Sequence, residues 1–120
     1  MKVPTGVRAE VLRREGGACL RCGTNLANVP SSIHHRKPRG MGGTKDPRSF
    51  DLRNLVHICG DGTRGCHGDI ESHRSQAHED GWLILSYDDL DRPVRTVEGL
   101  VVSWLNDGHG LVVTRGQVHA

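Results

Sequence analysis

Four cysteines in two close pairs are the first residues in this chain that promise chemistry. Cys19 and Cys22 form C-x2-C, a turn that brings two thiolates to one tetrahedral ion. Cys59 and Cys66 form a wider C-x6-C pair, with three glycines between them that let the loop curl. Together the two knuckles make a four-cysteine zinc site that clamps the two halves of the chain. Disulfides in a secreted protein, or chance thiols, are the other readings, and the pairing of all four residues favours structural zinc. Histidines stand close by. His34 and His35 are adjacent in SSIHHRKPRGMGG, and His67 directly follows Cys66. Neighbouring side chains on an extended strand point to opposite faces, so the two rings of the doublet face different ways.

Several familiar sites are excluded by spacing. Twelve residues separate Cys22 from His35, as a two-Cys, two-His finger requires, but no second histidine follows within three to five residues. RGMGGTK lacks the order of a phosphate-binding loop. A zinc deaminase would need H-x-E, which is missing.

The elements that must position these residues are short. TGVRAEVLRRE (residues 5–15) reads as a helix capped by Thr5, with Val7, Val11 and Leu12 grouped on one side and Gly16 or Gly17 ending it. NVPSSIHH enters a strand with Pro30 at its edge, KPRGMGGTKDPRSFD is loop, and NLVHIC is a second strand. CHGDIESHRSQAHED suits one helix from Cys66 to about Asp80, ended by Gly81 and weakly apolar apart from Ile70 and Ala77. GWLILSY, RPVRTV, GLVVSWL and GLVVT then predict a small antiparallel sheet, with NDGHG as a turn and Trp82 and Trp104 in its core.

At 120 residues the chain is expected to be one α+β domain, with residues 1–82 as a zinc-stabilised core and 83–120 as a β extension packed on it. Apolar residues make up only 35% and aromatics 3%, so burial is thin and a metal cross-link is the natural supplement. The N-terminal MKVPTGVRAEVLRR has no long apolar run, and no stretch approaches the roughly 20 residues of a membrane span. A soluble, cytoplasmic protein without a membrane partner is expected. The net charge of +2 says little, but Arg36 to Lys45 holds four cations and no acid, a local patch suited to an anionic polymer.

C-x2-C, IHHRKPRGMGG, RNLVHIC and GCH, in that order, resemble the HNH endonucleases, particularly the small zinc-containing members common in bacteriophages. The resemblance covers roughly residues 15–82 and implies the ββα-metal arrangement, in which two strands and a helix surround one catalytic divalent ion. It implies His34 and His67 as ligands of that ion and His35 as the general base. Asn54 is implied either as a further ligand or as the residue that fixes the loop bearing the base. An imidazole suits the base, since it is unprotonated near neutral pH yet accepts a proton from water. Many family members carry Asp where His34 stands, and an imidazole there holds magnesium less well while manganese, cobalt, nickel or zinc compete better. Arg36, Lys37, Arg39, Lys45 and Arg53, with Arg64 as a helper, would hold the phosphate backbone with little sequence selectivity. His73 reads as a surface residue or phosphate contact; Glu71, four residues after His67, has two readings, a group that touches the metal or its waters and a solvated glutamate, of which the second is favoured.

The activity so implied is metal-dependent hydrolysis of DNA phosphodiesters, in the host cytoplasm if the chain is phage-encoded, with terminase subunits as implied partners. A non-catalytic four-cysteine zinc module that binds nucleic acid or protein is the alternative; it has no use for three converging histidines.

Overall fold

A computed structural model describes residues 3–37, 47–85 and 87–115. Arg39 and Lys45, two of the expected DNA contacts, lie outside these residues.

Helix α1, Thr5–Glu15, opens the chain. Thr5 does not cap it: Pro4 occupies the N-cap position, and no side chain accepts there. Gly16 closes the helix in the left-handed conformation, at φ 64°, which glycine adopts without a Cβ penalty. Val11, fully buried, anchors the helix.

Strands β1 (Ser31–His35) and β2 (Leu55–Cys59) pair antiparallel, with His34 opposite Val56 and His35 opposite Leu55. Leu55, Val56 and Ile58 of β2 are buried on both faces of the ribbon. Asn54 itself sits in a short 3-10 turn, Leu52–Asn54, that Asp51 caps by accepting from the Arg53 N–H. Helix α2 (Gly65–Ser72) follows β2 through the cysteine loop.

The single helix expected from Cys66 to Asp80 is two. It breaks at His73, at φ −128° and ψ 60°, and α3 runs Arg74–Glu79. No residue type in the segment demands the break. Beyond it, Ala77 O accepts from the Trp82 and Leu83 N–H groups at 2.8 and 3.3 Å, which feeds the following chain inward.

That following chain, expected as a strand, is not one. Trp82, Leu83 and Ile84 are buried but have no ladder partner; the Ile84 N–H goes to Arg36 O at 2.9 Å. An unbroken apolar run looks alike in sequence whether it is paired or threaded through a core. The sheet forms later, as β3 (Val94–Arg95), β4 (Leu100–Leu105) and β5 (Gly110–Arg115), in the order β3-β4-β5 and antiparallel throughout. Asn106, Asp107 and Gly108 all have positive φ in the turn between β4 and β5.

One buried cluster joins the two segments: Cys19, Val56, Ile58, Cys66 and Ile70 pack with Trp82, Val94 and Val102. Two arginines add polar cross-links. Arg36 is completely buried and donates to the carbonyls of Gly81, Arg53, Leu90 and Arg92. Arg14 donates to those of Leu52, Gly108 and Leu55 and pairs with Glu15. Their guanidinium carbons lie 5.2 and 5.0 Å from the centre of the Trp104 ring, so this tryptophan packs on cations as well as on hydrocarbon. Among the described residues no helix is long and apolar enough to cross a membrane.

Candidate metal centres

The four cysteines converge. Their sulfurs lie within 4.8 Å of one another, and none is in a disulfide. Cys22 and Cys59 Sγ are 3.8 Å apart, and a tetrahedral ion with bonds of about 2.3 Å places its sulfurs about 3.8 Å apart. The Cys22 N–H points at Cys19 Sγ at 3.4 Å and the Cys66 N–H at Cys59 Sγ at 3.3 Å, so each knuckle offers a backbone donor to a sulfur. The Cys66 thiol beside Cys19 holds Cys19 below the ordinary thiol range, while the same contact, together with burial, pushes Cys66 up. Four sulfurs this close cannot all be thiolates unless a cation lies among them. The donor set therefore fits a structural ion of the zinc type.

The loop from Cys59 to Cys66 depends on two of its three glycines. Gly60 and Gly65 have φ of 85° and 67°, and a Cβ on Gly60 would lie 2.0 Å from Arg64 O. Gly62 has open space around it. Gly68 matters as well, because a Cβ there would stand 2.6 Å from the Thr63 carbonyl carbon.

Cys66 turns inward and His67 turns toward β1. The rings of His34 and His67 face each other edge to plane, with centroids 5.1 Å apart. Nitrogens of both lie within 4.8 Å of each other and of a Glu71 carboxylate oxygen. Hydrogen bonds fix both tautomers. His34 Nε2 lies 2.6 Å from Trp82 O, which can only accept, so Nε2 carries the proton and Nδ1 keeps its lone pair. Ser32 Oγ donates to Gly60 O at 2.8 Å, so it accepts from His67 Nδ1 at 2.7 Å, which leaves the lone pair on His67 Nε2. Ligating histidines are commonly held this way, with the second ring nitrogen tied to a carbonyl or hydroxyl. Burial pushes His34 down to about 3, and it also lowers His67, so both rings are neutral at physiological pH. His34 forms a buried floor, whereas His67 is half-buried and Glu71 exposed.

His35 does not join this cluster. It leaves β1 on the opposite face, half-buried, with its ring edge-on to Phe50 at 6.3 Å between centroids. Asn54 is fully buried. Its Oδ1 accepts from the Lys37 N–H at 2.8 Å and its Nδ2 donates to Ser49 O at 3.1 Å, while its backbone carbonyl accepts from the Arg36 N–H at 2.8 Å. The bonds thus tie down the two residues that follow His35.

The expected phosphate contacts fare less well. Arg36 is unsuited to DNA, because it lies wholly inside and its donors serve four carbonyls. Arg53 gives Nε and Nη2 to Asp51 and Nη1 to Asp91, so its charge is matched locally. Lys37 is half-buried, and Arg64 is exposed just before α2. His73 is exposed and sits against Asp69, apart from the group formed by His34, His67 and Glu71.

Ser32 and the Trp82 carbonyl went unread in the sequence. Ser32 had a signal: it stands two residues before His34 and therefore on the same face of β1. The Trp82 carbonyl had none, since a backbone group acquires its role only from the fold. Comparison with protein-family models, with curated proteins and with solved structures gave no match.

Proposed function

We propose that this protein is a metal-dependent DNA endonuclease of the HNH type, hydrolysing phosphodiester bonds. The observation that carries the reading is the meeting of the His34 and His67 rings, neutral imidazoles each with one nitrogen anchored and the other left with its lone pair, beside a separate four-cysteine cluster. A strand-strand-helix order, β1, β2 and α2, delivers them. A zinc module without catalysis would need the cysteines but gives no reason for this second set of ligands.

His34 and His67 hold the catalytic divalent ion, which when bound supplies Lewis-acid stabilisation to the phosphate and the departing 3′ oxygen. His35 takes a proton from the water that attacks phosphorus. His35 is the last residue of β1, so a linkage lying across the end of that strand would meet the His34 and His35 rings from two directions. Asn54 acts through His35: its three bonds to residues 36, 37 and 49 hold the backbone beside the base, which is the positioning role of the two that the resemblance implied. Arg64 and Lys37, with Arg39 and Lys45, supply the charge that orients the backbone.

Nicking of supercoiled plasmid by the zinc-loaded protein, in magnesium, manganese, cobalt, nickel and zinc with a chelator control, tests this. His35→Ala is expected to keep its zinc and its fold and to lose nicking. Undiminished cutting by that variant would remove His35 as the base.

A further inference from the structure

We infer that Glu71 is the third protein ligand of the ion held by His34 and His67, and that Arg74 competes with the metal for it. This rests on the two-histidine site proposed above and adds what sets its metal preference and its affinity.

Glu71 follows His67 by four residues within α2, so the two side chains lie one above the other on the same helix face. That face looks at His34, and a Glu71 oxygen lies within 4.8 Å of both ring nitrogens. Donors about 2.1 Å from a common ion stand roughly 3 to 3.5 Å apart, so modest side-chain rotation closes the set. The mobile member is the right one. His34 is locked by Trp82 and His67 by Ser32, while Glu71 reaches in from an exposed position.

Two neutral imidazoles leave a divalent ion's charge uncompensated, and Glu71 is the acid in the cluster that offsets it. Two imidazoles and one carboxylate, with the remaining positions open to water and substrate, favour first-row transition ions over magnesium.

Arg74 Nη1 donates to Glu71 Oε2 at 2.7 Å. The pair is exposed, at 53% and 37% for the two side chains, and ion pairs of this kind are weak. Arg74, the first residue of α3, stands three residues after Glu71, across the break at His73. A carboxylate drawn toward the imidazoles must loosen that contact, so metal binding and the Glu71–Arg74 pair oppose each other.

Manganese(II) titrated into the zinc-loaded full chain without DNA, read by calorimetry and by the electron paramagnetic resonance of free manganese, tests this directly. Glu71→Gln is expected to weaken binding at least about tenfold. Arg74→Ala is expected to tighten it about threefold to fivefold, the size of a weak surface pair. Both should keep their zinc content and melting temperature, since both side chains are exposed. His67→Ala should abolish binding. If Glu71→Gln binds as the native chain does while His67→Ala fails to bind, Glu71 is not a ligand and the two-histidine site stands. If His67→Ala also binds as the native chain does, the imidazole site itself falls. Unchanged or weaker binding by Arg74→Ala would overturn the competition.

Discussion

Replacing Arg36 by Met separates two roles for the same guanidinium. As a phosphate contact, Arg36 would be dispensable to the fold, and its loss would lower the salt dependence of DNA binding by about one unit of slope. As an internal cross-link, it would be needed for stability. It is completely buried and gives hydrogen bonds of 2.5 to 3.1 Å to four carbonyls, one of them on residue 53 and three on residues 81 to 92. Removing the donor leaves those four carbonyls without partners, at about 1 to 3 kcal/mol each. Burial, with Arg92 and Arg14 nearby, pushes Arg36 down from 12.5 to about 9, and the group stays protonated at neutral pH. The methionine fills the volume and carries no charge to desolvate, so the expected net loss is at the low end of that sum, about 4 kcal/mol, or roughly 15 °C in melting temperature for a domain of this size. Urea unfolding of the zinc-loaded protein followed by tryptophan fluorescence measures it, and Trp104, against which Arg36 packs, is a local reporter. A variant as stable as the native chain, with a DNA-binding salt slope reduced by one, would refute the reasoning.

Other changes have equally definite outcomes. Gly60→Ala should cost about 3 kcal/mol or more and release zinc readily to a chromogenic chelator, because its Cβ would collide with Arg64 O in a backbone of positive φ; Gly62→Ala, with open space around it, should release no faster than the native chain. Asn54→Ala should lower stability by about 2 to 4 kcal/mol, since the Lys37 N–H and Ser49 O lose buried partners, and nicking should fall even at temperatures where circular dichroism shows it folded. Asp51 is raised by partial burial, but its bonds from Arg53 outweigh this and set it below 3.8. Its contribution to stability is therefore present above pH 3.8 and lost as pH falls through the lower folded value, and Asp51→Asn should show a flatter decline in denaturant midpoint over that acid range.

Local chemistry was legible in the sequence wherever neighbouring residues determine it. The pairing of the cysteines, the strand ending in His34 and His35, and the helix opening beside Cys66 follow from turn residues and alternation, and the structure forms each of them. What escaped depends on distant partners. Arg36 reads as a surface cation in a basic run, and only a core that surrounds it with carbonyls turns it into a brace. Residues 82–84 read as part of a strand because they are apolar in succession, yet their N–H groups go to Ala77 and Arg36 instead of a neighbouring strand. Glu71 sits at ligand spacing from His67, but its nearness to His34 depends on how α2 lies across β1. The tautomers are least legible of all, because they are set by Trp82 O and by a Ser32 hydroxyl whose proton is taken by Gly60.

In the proposed site, sulfur ligands around one ion bring imidazoles from distant segments around another. Anomalous diffraction from crystals of the zinc-loaded protein soaked in manganese(II), with data at the absorption edges of both metals, reads this most directly. The expected map has zinc among Cys19, Cys22, Cys59 and Cys66, and manganese bonded to His34 Nδ1 and His67 Nε2. A zinc peak alone, with those two nitrogens turned apart and no manganese between them, would contradict it.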